Sequence, residues 1–160
     1  MLQQRSILES ISGLAPGAMA FSSTIGAPET IDPAEVLHRV FGFGEFRGVQ
    51  ARVIDRVLAG KRTLAVMPTG AGKSLCYQLP SLLLEGTTIV VSPLIALMHD
   101  QMRSAAAAGI RAATLTSADS NRAETIDRFR SGTLDLLYIA PERASTQEFR
   151  GLLREAKIAL

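Results

Sequence analysis

The sequence predicts an α/β domain, a parallel sheet flanked by helices, and three observations predict it. Short apolar runs, among them Ile89-Val90-Val91 and Leu136-Leu137-Tyr138-Ile139, are nearly continuous rather than alternating, so both faces of those strands should be covered. Helical stretches lie between the runs, and strand–helix alternation with short turns gives a parallel sheet with right-handed crossovers. Third, the segment Met67-Pro68-Thr69-Gly70-Ala71-Gly72-Lys73-Ser74 stands between an apolar run and a helix-like run. That order, strand, glycine-bearing loop, Lys-Ser, helix, is the one a phosphate-binding loop requires.

Taken in order, residues 1–30 carry Gly, Ser, Pro and Thr with weak periodicity and read as a poorly ordered tail with one short helix near Ile7. Glu9 and scattered serines break its apolar stretch, which argues against an export signal. From Asp32 the signals sharpen. Asp32 suits an N-cap, Pro33 the first helical position and Glu35 the third, close to a capping box, for a helix ending at Gly42 and Gly44. A second helix is expected from Gly48 to Ala59, where Val49, Val53 and Val57 line one face and Gly60 ends the run.

Candidate strands are 63–66, 87–92, 111–115 and 134–140, with helices over 73–84, 93–108 and 120–131. Pro80 should kink or shorten the first of these helices, and Ser92-Pro93 is a good start for the second. Ser145-Thr146-Gln147-Glu148 reads as a capping box for a last helix to about Ala156. Residues 157–160 read as the opening of a fifth strand. In parallel sheets of this kind ligands sit beyond the carboxyl ends of the strands. Four candidate segments begin there: 67–74, 92–101, 116–117 and 141–143.

The bulk numbers bound the function. A chain of 160 residues, 47% apolar and 20% charged, is a folded protein of one domain's size. Net charge is only +2, so charge alone announces no nucleic-acid partner, although all but three of the 17 basic residues are Arg. One cysteine, Cys76, excludes an internal disulfide, fits a reducing cytosol, and reads as a small core residue. No run approaches the roughly 18 apolar residues of a membrane span.

The phosphate loop carries the chemistry. Gly70 and Gly72 let the backbone curl so that successive amides face one concavity, joined by Thr69 and Ala71, with the positive end of the next helix aimed at the same spot. Lys73 is placed to reach the β- and γ-phosphates of ATP, and Ser74 Oγ to hold Mg²⁺. Met67 stands where the strict pattern has its first glycine. The alternative is a Gly-rich βα turn without a ligand; a Lys-Ser pair directly behind Gly-Ala-Gly speaks against it.

Five segments together resemble a known family. FGFGEFRGVQ at 41–50, MPTGAGKS at 67–74, VSPLIALMHDQ at 91–101, LTS at 115–117 and LLYIAPER at 136–143 resemble, in order and spacing, the first part of the motor domain of RecQ-type DNA helicases. These are superfamily 2 enzymes with two RecA-like lobes, and the likeness runs from about Val36 to Leu160. The resemblance implies a RecA-like P-loop NTPase domain over 31–160 and ATP-driven 3′-to-5′ movement on single-stranded and duplex DNA, in repair and recombination. A cytoplasmic, nucleoid-associated setting without a membrane follows from it. It also implies that Gln50 reads the adenine edge while Phe43 and Arg47 pack on the ring, chemistry their side chains suit. Without it, Phe41, Phe43 and Phe46 would pass for a hydrophobic staple on the next helix.

The same resemblance implies that Ser92 and Pro93, with Thr116, Ser117 and Arg143, contact the DNA backbone. Alternatively Ser92 is only an N-cap and Arg143 pairs with Glu142 or another surface acid. Phe43 stands where the family often has Tyr, Gly48 where it often has Pro, and His99 where it often has Lys. His99 and His38 read as surface or packing residues. The family's Asp-Glu pair, which helps hold Mg²⁺ and orients the attacking water, has no counterpart here, because no Asp-Glu dipeptide occurs. The sequence is therefore expected to be an early part of a motor lacking its second lobe and arginine finger, with weak ATP binding, negligible turnover and poor stability. Two rival functions stand beside it: a non-catalytic nucleotide- or DNA-binding remnant, and another superfamily 2 helicase acting on RNA.

Overall fold

The computed structural model describes residues 31–117 and 119–160, so the expected tail and its short helix at 1–30 lie outside the described residues. Helices α1 (Pro33–Phe41), α2 (Gln50–Leu58) and α3 (Leu75–Leu83) precede the first strand, β1 (Thr88–Val91). Then follow α4 (Ile95–Ala107), β2 (Ala112–Leu115), α5 (Arg122–Arg130), β3 (Leu136–Ile139), α6 (Pro141–Ala144) and α7 (Gln147–Glu155). The strands form one parallel sheet in the order β1-β3-β2. Their register sets Thr88 and Ala112 against Leu136, and Val91 and Leu115 against Ile139. All three strands therefore end level, and the residues that follow them emerge at one sheet edge.

The central strand explains the order. Leu136, Leu137 and Ile139 are fully buried and Tyr138 nearly so, as the continuous apolar run requires of a strand with neighbours on both sides and helices on both faces. Burying each such side chain stabilises by roughly 1.5–3 kcal/mol. On one face Leu137 and Ile139 pack with Phe129 of α5 and with Phe149 and Leu152 of α7. On the other, Leu136 and Tyr138 pack with Met98 and Ala105 of α4. A separate cluster, Val36, Leu37, Ile54, Leu75 and Leu79, joins α1, α2 and α3. Behind β3, Asp135 is buried and accepts bonds from the Arg111 amide at 2.8 Å and the Arg111 guanidinium, fixing the entry to β2 beside the entry to β3.

Residues 157–160 begin to pair with β1, as expected of a further strand. Ile158 bridges Thr87 in parallel, and the Ile89 amide donates to Leu160 O at 2.8 Å.

Four local expectations are corrected. Thr63–Val66 is not a strand: Leu64 and Val66 are 92% and 90% exposed, and among the described residues no strand lies beside them. Local β propensity becomes a strand only where a neighbour offers its amides and carbonyls, and β1 is already flanked by β3 and residues 157–160. At α1 the Asp32 carboxylate accepts from the Ala34 amide as a cap should, but Glu35 pairs with Arg39 at 3.0 Å instead of closing a capping box. The last helix is capped by Thr146 rather than Ser145: Thr146 Oγ1 accepts from the Phe149 amide at 3.2 Å, while Glu148 turns to Arg122. Both hydroxyls suit a cap, and the apolar pair Phe149 and Leu152 settles the frame by burying itself. The helix after β1 starts at Ile95 rather than Pro93, and Ser92 Oγ makes only a long 3.5 Å contact with the Leu94 amide. Pro80 sits buried inside α3, which runs on to Leu83, and its carbonyl accepts from the Leu84 amide. The short helix α6, opened by Pro141, was not expected at all.

Candidate nucleotide and nucleic-acid site

The phosphate loop holds the shape its glycines predict. Gly70 and Gly72 have φ of +81° and +72°, a region that L side chains rarely adopt. A turn closes Ala71 N on Pro68 O at 3.3 Å. Among the described residues, the amides of Gly72, Lys73 and Ser74 donate to no other group, while those of Leu75 and Cys76 turn back to Gly72 O and Lys73 O. Three free amides thus lead into the start of α3, where the helix places positive potential. Lys73 is exposed, and its ammonium folds over the loop to donate to Met67 O at 3.1 Å and Pro68 O at 2.9 Å. Both are neutral carbonyls, so an anion can compete for that ammonium.

Gln50 underpins the loop. It is buried, its Nε2 donates to Ala71 O at 3.1 Å and Gly72 O at 3.2 Å, and its Oε1 accepts from the Arg47 amide at 2.8 Å. The side chain expected to read adenine therefore spends both ends of its amide on backbone in this structure. A Cβ at position 72 would stand 2.5 Å from Gln50 Nε2, so Gly72 is required by this contact as well as by its backbone angle. The aromatic cluster divides. Phe41 and Phe46 pack into the α1–α3 core, whereas Phe43 is 46% exposed with the Arg47 guanidinium 5.8 Å from its ring centroid. An exposed ring beside a guanidinium is a surface on which a planar base can stack.

The loop and the β1 edge face each other. A cavity of about 240 Å³ lies between them, lined by Lys73, Ser74 and Tyr77 on one side and by Val91, Ser92 and Gln101 on the other. Two side chains that the sequence reading did not single out bridge it. Gln101 Nε2 donates to Ser74 Oγ at 3.2 Å, and the Tyr77 hydroxyl donates to Gln101 Oε1. Burial, with Tyr138 close by, pushes the Tyr77 hydroxyl well above the usual phenol range, so it remains a donor. The sequence signal for Gln101 was its spacing: it follows buried Met98 by three residues, a polar side chain on the inward face of α4.

The remaining expected contacts are unequal. Ser92 is fixed by its amide, which donates to Ile139 O at 3.1 Å, and Pro93 beside it is exposed. Thr116 is buried and its amide donates to the Asp119 carboxylate at 2.6 Å, whereas Ser117 is exposed. The Arg143 side chain is only 17% exposed and lies 3.8 Å from Glu148, an acid other than its neighbour Glu142. His99 on α4, its side chain 39% exposed, sits 3.9 Å from the Asp119 carboxylate. Burial raises the Cys76 thiol, leaving it a core residue. Among the described residues no helix is long and apolar enough to cross a membrane.

Comparison with known proteins agrees with this geometry. The family described as DEAD/DEAH box helicase matches residues 47–158. The chain is 46% identical over 127 residues to an ATP-dependent DNA helicase RecQ of Pasteurella multocida, covering 78% of this chain and 20% of that protein. It is 44% identical over 128 residues to the RecQ of Bacillus subtilis, covering 78% of this chain and 22% of that one. The chain thus spans about a fifth of the length of these two relatives. A crystal structure of a hypothetical ATP-dependent RNA helicase from Sulfolobus tokodaii superposes with a TM-score of 0.61 at 26% identity, over 79% of this chain and 39% of that one. The relatives just named are RecQ helicases, and the match to residues 47–158, across the phosphate loop and all three strands, settles the family: this chain belongs to the DEAD/DEAH box helicases.

Proposed function

We propose that residues 31–160 form the ATP-binding part of a helicase motor that grips single-stranded DNA, and that the loop 69–74 holds the triphosphate. The observation that carries this reading is the trio of free amides at Gly72, Lys73 and Ser74, with an ammonium held over the same loop only by neutral carbonyls. Thr69, Gly70, Ala71 and Gly72 supply the cradle. Lys73 leaves its carbonyls for the β- and γ-phosphates, where each charge-assisted bond is worth about 1.5–3 kcal/mol. Phe43 and Arg47 take the base between ring and guanidinium. Gln50 holds the loop from behind and reaches the base edge only when it gives up one of its backbone partners.

Magnesium fits as a cation that arrives with the nucleotide. Among the described residues no group of three or more His, Cys, Asp or Glu could cage a metal, and Ser74 Oγ is the protein ligand this reading gives the ion, with water and phosphate to complete the shell. When bound, the ion supplies charge neutralisation across the phosphates. The DNA strand runs over the level ends of the strands, meeting Ser92, Pro93 and Ser117, with Thr116 and Arg143 set deeper. The whole protein's ATP-driven strand separation belongs to the same proposal, supported by the relatives' name, ATP-dependent DNA helicase; a cytoplasmic setting, a role in repair and a second lobe rest on the family resemblance alone. This chain binds and does not turn over, since no described carboxylate pair stands at the loop to orient water.

Titration with a fluorescent ATP analogue and Mg²⁺ tests the reading. Lys73→Ala is expected to weaken binding by about 2 kcal/mol, some thirtyfold. Equal binding by the variant would sink it, and DNA-stimulated phosphate release by the wild type would overturn the absence of turnover. Labelled deoxy- and ribo-oligonucleotides of one sequence decide between DNA and RNA, with tighter DNA binding expected.

A further inference from the structure

We propose that Gln101 is a positioning residue that couples cation and nucleotide at Ser74 to the Ser92–Leu94 segment; the proposal rests on the nucleotide reading above. Gln101 is the side chain of α4 that crosses the 240 Å³ cavity to the phosphate loop, donating to Ser74 Oγ at 3.2 Å. Its amide is held at both ends, because Oε1 accepts from the Tyr77 hydroxyl while Nε2 donates to Ser74. The positive end of the amide is therefore aimed at the oxygen on which a cation would settle. A hydroxyl offers two lone pairs, so both could bind it in principle, but an amide N–H and Mg²⁺ on one small oxygen repel each other.

Cation arrival thus expels the Gln101 amide. Met98 and Ala105 on the same face hold the body of α4 against Leu136 and Tyr138. The amino-terminal turn of α4 is freer: Leu94 and Leu97 are 59% and 44% exposed, and Leu94 caps the helix without a side-chain bond. That turn leads directly back to Ser92 and Pro93. Occupancy of the phosphate loop is passed to the strand-contacting segment through one amide, and strand binding is passed back by the same contact, as linkage requires.

The test uses the 160-residue chain. Affinity for a labelled oligo-deoxythymidine is measured with and without ATP, each in Mg²⁺ and in EDTA, for wild type, Gln101→Leu and Tyr77→Phe, with thermal melts to confirm folding. In Mg²⁺ the wild type should change its DNA affinity by about fivefold or more when ATP is added, and much less in EDTA. Gln101→Leu should bring that factor below about twofold, and Tyr77→Phe, which keeps the glutamine but frees its amide, should give an intermediate value. A full coupling factor in Gln101→Leu, or in Tyr77→Phe should the first variant fail to fold, overturns the proposal. So does a wild type that binds both ligands without coupling. A wild type that binds no ATP overturns the nucleotide reading and this inference with it, a result distinct from either of the others.

Discussion

Two short runs of nearly the same chemistry meet opposite fates. Ile89-Val90-Val91 lies in β1, paired with β3 on one side and approached by residues 157–160 on the other. Leu64-Ala65-Val66, also apolar and also leading to a functional loop, forms no strand, with Leu64 and Val66 turned almost wholly to solvent. Composition did not separate them. What separates them is a neighbour, because a strand is a property of a pair, and the free energy of a β-branched run is released against the surface beside it. The phosphate loop hangs between the two regimes. Its front is the unpaired run and its back is α3, packed into the core through Leu75 and Leu79, so Gln50 beneath the loop supplies a support that the run does not.

The contrast can be broken by mutation. Leu137→Ala, in the centre of β3 and fully buried, should cost about 2–5 kcal/mol of unfolding free energy in urea titrations, whereas Leu64→Ala should stay within about 0.5 kcal/mol. Similar costs for the two would mean that residues 63–66 are packed in solution. Next in size, Asp135→Ala removes the acceptor for the Arg111 amide and guanidinium at the sheet's lower edge and should cost about 2 kcal/mol by the same titration. Gly72→Ala should cost about 1 kcal/mol for its backbone angle, and more for displacing Gln50, with ATP affinity falling alongside. An alanine variant that is as stable and binds as well would show that the loop is not held from behind.

The smallest effect is electrostatic. The Lys157 ammonium is the largest of the influences that hold the Glu85 carboxyl down at about 2, below the ordinary 4.5. A depressed carboxyl stabilises the fold above its ordinary value and loses that contribution as pH falls from about 4.5 through about 2. Lys157→Met should move the Glu85 titration, followed by NMR, up toward 4.5, and an unmoved titration would exclude the contact that ties residue 157 to the turn before β1.

Much of this was legible in the sequence, and the failures have physical causes. The buried strands could be read because Leu136 to Ile139 is apolar without alternation, and the helices because periodicity and stops such as Gly42 are local signals. The phosphate loop was legible for the same reason: its function needs backbone curvature, and Gly70 and Gly72 declare it within three residues. Thr63–Val66 misled because its partner, or lack of one, is not written nearby. Ser145 and Thr146 are equal candidates to cap a helix until Phe149 is seen buried. Gln50 and Gln101 were hardest, since an amide can read a base, prop a loop or bridge two helices, and only residues 21 and 27 positions away decide which.

The central claim is that free amides of the loop receive the triphosphate. Backbone ¹⁵N–¹H spectra recorded while ATP and Mg²⁺ are added test it most directly. The resonances of Gly72, Lys73 and Ser74 should move together and saturate, with those of β2, across the sheet, unmoved. Unchanged signals at these three positions under saturating nucleotide, or shifts gathered elsewhere, would contradict it.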